Sequence, residues 1–130
     1  MIRGRMEVIT TDDFDRWFVS LDTATDARAV ARVVELLEER GVTLGTPHST
    51  AINGSDKVLH GHALRELRVQ SGGRPLRVLY AYDPRRDAVL ILGGDKTGDD
   101  RWYETNVPRA IAIWEQYLAE QAAGQHDGGE

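Results

Sequence analysis

Arg68, Arg77 and Lys96 are the residues of this sequence whose types and spacing could do chemistry together. Arg68 closes the run LRELR, Arg77 opens RVLYAYD, and Lys96 follows the glycine pair in GGDKTG, so successive segments each supply a cation. Cations gathered along a concave surface suit a phosphodiester. Guanidinium forks hold phosphate oxygens bidentately, and a preorganised positive site stabilises the extra charge of a pentacoordinate transition state. Arginine stays protonated, so proton transfer falls to another group: Lys96 with a lowered pKa, one of His48, His60 and His62, or Tyr103. GGDKTG is no Walker loop, because the spacing G-x-x-x-x-G-K-[ST] is absent. His60-Gly-His62 alternates as a chelating pair would, but spacing sets no third ligand, and neither metal nor cofactor is expected.

Those cations need elements to hold them. Leu64–Gln70, Leu76–Tyr82 and Ala88–Leu92 read as strands joined by the turn sequences SGGRP and DPRRD, which predicts an antiparallel meander. Alternation puts Glu66, Arg68 and Gln70 on one face of the first of these and Leu67 and Val69 on the other. In the next, Arg77, Leu79 and Ala81 oppose Val78, Tyr80 and Tyr82, so Arg77 starts an otherwise apolar row. An unpaired buried guanidinium is costly. Arg77 must therefore lie near the strand end, pair with an acid such as Glu66, or face an open groove. Glycines at 93 and 94 let the backbone approach a ligand or end the strand in a bulge.

Ahead of the meander, MEVIT reads as a short strand. A helix capped by Asp12 or Asp13 follows, carrying Phe14, Trp17, Phe18 and Leu21, and then a second from about Thr25 to Arg40, stopped by Gly41. The pair forms a helical hairpin whose apolar stripe needs a sheet to cover. From Val42 to about His60 no period survives, which marks a long loop with room for one brief strand. A last helix spans about Pro108 to Gln121, with Ile111, Trp114, Tyr117 and Leu118 on one face. Residues 1–122 read as one α+β domain and 123–130 as a disordered tail.

The net charge of −5 argues against a phosphate-rich partner, but the charge is unevenly distributed, with a modest basic excess in the middle of the chain that a mixed solvated surface would also show. Met1–Gly54 holds six basic and nine acidic residues, Ser55–Ala110 ten and eight, and the remainder none and four, so the candidate cations sit in the basic part. The absence of cysteine excludes disulfides, thiolate metal sites and cysteine nucleophiles, and fits a reducing compartment. With no long apolar run or leader-like start, a cytoplasmic protein without membrane contact is expected.

The ordered set LRELR, RVLYAYD and GGDKTG, after a helical hairpin and before Trp102-Tyr103 and a closing helix, resembles the RelE/ParE toxin superfamily, most closely its HigB-like, phage-derived branch. The likeness runs from about Trp17 through Leu118. It implies a RelE-like fold, two N-terminal helices packed on a twisted antiparallel sheet, and a toxin of a type II toxin–antitoxin system. The implied activity is that of a metal-independent mRNA interferase, an endoribonuclease that inhibits translation and arrests growth. Its partners would be a cognate helix-turn-helix antitoxin and mRNA on the ribosome. By position, Arg77 matches the family's phosphate-binding arginine and Lys96 its basic residue after the last strand, with Arg68 beside them as a third catalytic cation. Tyr103, Lys57, His60 and His62 are the candidates for binding substrate. ParE-type relatives share the fold and act on DNA gyrase, so gyrase inhibition and a catalytically silent binding domain are the alternatives.

Overall fold

The computed structural model describes residues 5–53 and 63–128, with side chains described as far as Gly124. Threonines start both N-terminal helices. Thr11 Oγ1 accepts from Phe14 N at the head of α1 (Asp12–Val19), and Thr23 Oγ1 accepts from Asp26 N at the head of α2 (Ala24–Arg40), each at 3.1 Å. The α1 cap is thus Thr11 rather than Asp12 or Asp13. Those aspartates, with Asp15, fill the first turn, where the helix dipole favours negative charge. Gly41 ends α2 with a φ of 56°, a conformation that costs other residues more.

The strands β1 (Val8–Thr10), β2 (Ser49–Ala51), β3 (Arg65–Ser71), β4 (Arg74–Tyr82) and β5 (Ala88–Asp95) form one sheet in the order β1-β5-β4-β3-β2. The expected meander is β3-β4-β5, and β2 is the brief strand of the long loop. The sheet is nevertheless mixed, not purely antiparallel, because β1 runs parallel to β5. A parallel pair needs a long crossover, and no local pattern reveals which strand the chain will return beside.

Alternation sorts the core into two layers. Phe14, Val30 and Leu37 of the N-terminal helices pack with Leu67, Val78 and Tyr80, while Leu79, Ala81 and Ile91 pack against Ala110 and Trp114 of the C-terminal helix α3 (Trp102–Gly128). The N-terminal hairpin therefore covers one face and α3 the other. Leu79 pairs with Leu92 and Tyr80 with Leu90, which leaves Ile91 as a bulge residue. Its carbonyl is taken by Thr11 Oγ1 at 2.5 Å, so the residue that caps α1 also holds β5.

The last helix begins at Trp102, ahead of the expected Pro108, and runs past Gln121. The interior proline, Pro108, lies at an exposed position of this helix. Asp83 ties α3 to the β4–β5 turn by accepting from Tyr117 Oη and Gln121 Nε2, both at 2.9 Å. Burial alone would raise the Asp83 carboxyl, but bonds from Asp87 N, Gln121, Tyr117 and Arg85 N outweigh it and hold the group below its ordinary value. Burial, then the Asp83 carboxylate, pushes Tyr117 up to about 12. Among the described residues no helix is long and apolar enough to cross a membrane.

A second anchor joins α2 to the β3–β4 turn. Ser71 Oγ donates to Asp26 Oδ1 at 2.6 Å, and Arg74 pairs with the other oxygen while its Nη1 reaches Asp95 at 3.2 Å. The bonds from Ser71 and then Arg74 hold the Asp26 carboxyl below its usual range. A carboxylate depressed in the folded state contributes stability above its unfolded pKa and loses it as pH falls through the folded one. Acidification from about pH 5 to about pH 2 is expected to lower the urea midpoint, with Asp26→Asn flattening part of that slope. An unchanged slope in the variant would locate the acid sensitivity elsewhere.

Candidate functional site

Arg68 and Arg77 stand directly opposite each other in the β3–β4 ladder. Arg68 N donates away from β4, to His48 O at 2.8 Å, so the two arginines occupy a non-hydrogen-bonded position, where side chains approach most closely. Like charges placed so repel. Glu66, two residues earlier on the same face, supplies the countercharge: its Oε1 lies 3.7 Å from Arg68 Nε and 3.8 Å from Arg77 Nε. Glu66 and Arg77 are buried, at 5% and 4% exposure, while the Arg68 side chain is 44% exposed. Thr50 Oγ1 donates to Glu66 Oε1 at 3.3 Å, and Arg77 Nη1 donates to Leu76 O at 3.0 Å. Glu66 Oε2 is buried without a hydrogen-bond partner among the described residues. Arg77 thus pairs with an acid, and with Arg68 it also lines an open cleft of about 600 Å³.

The row continues into β5, where Arg77 pairs with Gly94 and Lys96 follows two residues on. Lys96 Nζ sits 5.5 Å from the centroid of the Tyr103 ring, within cation–π range. The Tyr103 hydroxyl accepts from Arg77 Nε at 3.4 Å. Burial first, and then the neighbouring Glu66, raises the Tyr103 pKa above its ordinary value, so the phenol carries its proton at neutral pH and can donate it. Arg68 and Arg77 thus share Glu66, and Tyr103 links Arg77 to Lys96. Trp102 packs nearly perpendicular to the Tyr103 ring at 5.2 Å, and Lys96 lies over that ring. Lys57, His60 and His62 lie outside the described residues.

The glycine pair has a different purpose from close approach to a ligand. A Cβ at Gly93 would fall inside the Trp17 ring on the N-terminal-helix side of the sheet, and one at Gly94 would lie 2.6 Å from Trp102 Nε1 on the α3 side. Both tryptophans press onto bare backbone, which fixes the end of β5 and hence where Lys96 emerges. The bulge of β5 lies at Ile91, not at the glycines.

Sequence reasoning treated Glu66 as one partner for Arg77 and missed it as the hub. The signal was present in LRELR, where the acid and Arg68 share a face. Arg32 of α2, which also lines the cleft, was missed entirely, since an arginine on a helix surface carries no sign of what it faces. No three His, Asp or Glu side chains converge as a metal site would require among the described residues.

Residues 16–115 match the family described as "Phage derived protein Gp49-like". The chain belongs to this Gp49-like family. Its relatives include two Mycobacterium tuberculosis proteins that bear the names "Putative toxin HigB3" and "Putative toxin HigB2". The Gp49-like chain is 41% identical to the first over 126 residues, covering 95% of this chain and 100% of that protein. It is 34% identical to the second over 115 residues, covering 85% of this chain and 55% of that protein. No solved structure matches it. The span shared with the Gp49-like family takes in Glu66, Arg68, Arg77, Lys96 and Tyr103, so the whole cluster belongs to the matched part of the chain.

Proposed function

We propose that this chain is the toxin of a type II toxin–antitoxin pair, related in fold to the RelE/ParE superfamily, and that it is a metal-independent mRNA interferase acting in the cytoplasm. The observation that carries the reading is a connected cluster in which Arg68 and Arg77 share the Glu66 carboxylate and line an open cleft, while Arg77 reaches the Tyr103 hydroxyl and Lys96 lies over the Tyr103 ring. Similarity to proteins named as HigB toxins supports it. Its partner is a neutralising antitoxin, a helix-turn-helix protein, and the substrate is mRNA on the ribosome.

In the proposed reaction the RNA 2′-hydroxyl oxygen bonds to its own 3′-phosphorus and the bond to O5′ breaks, leaving a 2′,3′-cyclic phosphate and a 5′-hydroxyl. The 2′-hydroxyl proton is lost and O5′ gains one, so protons balance without a water nucleophile. Arg77 and Arg68 hold the non-bridging oxygens as negative charge builds. Lys96 stabilises the leaving oxygen, and Tyr103, with its raised pKa, donates a hydrogen bond to the phosphate.

Expression without the antitoxin is expected to stop translation and to leave cyclic-phosphate ends on transcripts. Lys96→Ala is expected to slow cleavage by about 10²–10³-fold, the usual loss for one preorganised electrostatic group. The burial of Arg77 against Glu66 favours a second reading, in which the cluster is structural and the chain acts by binding a protein such as gyrase. Growth arrest with intact transcripts and damaged DNA, unchanged in Lys96→Ala, would select that reading.

A further inference from the structure

β2 pairs with β3 only from Arg65 to Leu67, and the Arg68 N to His48 O bond is the last one on that side of the strand among the described residues. Beyond it no described residue pairs with the edge of β3. The cleft wraps around this edge at Val69 and Gln70, so it collects side chains from both faces of the sheet. Arg68 and Arg77 enter from the α3 face, and Ala29, Arg32 and Val33 of α2 from the other. Pro47, His48 and Pro75 complete the wall.

The charge of this lining is one-sided. Among the described residues it contains three arginines and a histidine and no carboxylate, although the chain as a whole is acidic, with a net charge of −5. Arg32 has no ion pair among the described residues, whereas Arg74 is held between two aspartates and Arg77 by Glu66. Apart from Gln70, the remaining wall is apolar. Guanidinium groups beside flat apolar contacts are what a nucleotide requires, the forks for its phosphate and the apolar wall for its base. The volume, about 600 Å³, lies within the range of pockets that enclose small ligands. Because Arg68 and Arg77 line the cleft and also belong to the cluster around Glu66, the two are continuous.

We infer that the cleft seats the nucleotide next to the scissile link of a bound single-stranded RNA, with Arg32 on the neighbouring phosphate and the Val33–Pro47 side of the wall against the base. This rests on the RNA-cutting reading above. It adds α2 to the substrate-binding surface and makes the edge of β3 beyond Arg68 the path along which the strand leaves the cutting site. Affinity then depends on RNA length through a residue remote from Lys96 and Tyr103.

The test is equilibrium binding of fluorescent 2′-O-methyl RNA, which cannot be cut, comparing a dinucleotide with a hexanucleotide. Arg32 is exposed, so Arg32→Ala and Arg32→Glu are expected to melt as the wild type does. Loss of a charge-assisted phosphate contact should weaken hexanucleotide binding about ten-fold in Arg32→Ala, and more in Arg32→Glu, with dinucleotide binding held within about two-fold. The slope of log affinity against log salt should fall by about 1 for the hexanucleotide only. Equal losses at both lengths, or no loss at either, would overturn the inference. Cleavage of unmodified RNA is read separately. Length-dependent binding through Arg32 without cleavage keeps the cleft and removes the cutting, whereas cleavage with indifference to Arg32 does the reverse.

Discussion

Arg77→Met is expected to abolish RNA cleavage and to destabilise the fold, both effects arising from the same guanidinium. On the chemical side, the proposed reaction loses the preorganised cation it assigns to the phosphate, and losses of about 10²–10³-fold are typical for one such group. Arg77 also orients Tyr103 through the 3.4 Å bond from Nε, so the loss should lie at the upper end. On the structural side, Glu66 is left at 5% exposure with Arg68, 3.7 Å away, as the one cation answering its charge among the described residues. Deleting one partner of a buried pair costs about 3–5 kcal/mol, and the half-exposed Arg68 offsets part of that. The two effects separate in the double variant Glu66→Gln, Arg77→Met. Neutralising both partners should recover most of the urea midpoint and none of the cleavage, measured by cyclic-phosphate ends. A single variant that still cuts RNA would remove Arg77 from the chemistry. One as stable as the wild type would mean that Glu66 does not depend on it.

Gly93→Ala should have the largest purely structural effect. The added Cβ would sit within the Trp17 ring, and neither β5, locked between β1 and β4, nor α1, capped onto β5 through Thr11, can withdraw easily. Overpacking of this kind costs about 1–3 kcal/mol and occasionally more, and the upper end is expected here because the obstacle is a rigid indole. Trp17→Leu in the same chain makes room and should restore part of the thermal midpoint, although alone it should destabilise by leaving a gap over bare backbone. Loss of the same midpoint in Gly93→Ala with and without Trp17→Leu would show that the contact with the ring is not the cause.

The elements that carry the cluster were legible because their signals are local. Alternation in LRELR and RVLYAY gave the correct face for Glu66, Arg68 and Arg77, and the stripes around Phe14 and Val30 gave the two N-terminal helices. The parallel pairing of β1 with β5 was not legible, since about 80 residues of chain lie between Val8 and Ala88 and nothing in MEVIT names its neighbour. The purpose of Gly93 and Gly94 was misread for a related reason. A glycine announces that something comes close, and only the packing says that it is an indole on each side rather than a ligand. Pro108 led the start of α3 astray because proline favours a first turn, yet an exposed interior position tolerates it.

Taken alone, the order of residues determined which face each side chain takes, because alternation along a strand and the helical period follow from backbone geometry within a few residues. Only the tertiary structure decided which residues face one another. It set Arg68 against Arg77 and Arg77 against Gly94, brought Lys96 over Tyr103, and placed Arg32 in one cleft with Arg68 and Arg77. Strand register and the seating of α2 and α3 are fixed by the burial of two whole apolar layers, a cooperative property that no short stretch of sequence contains.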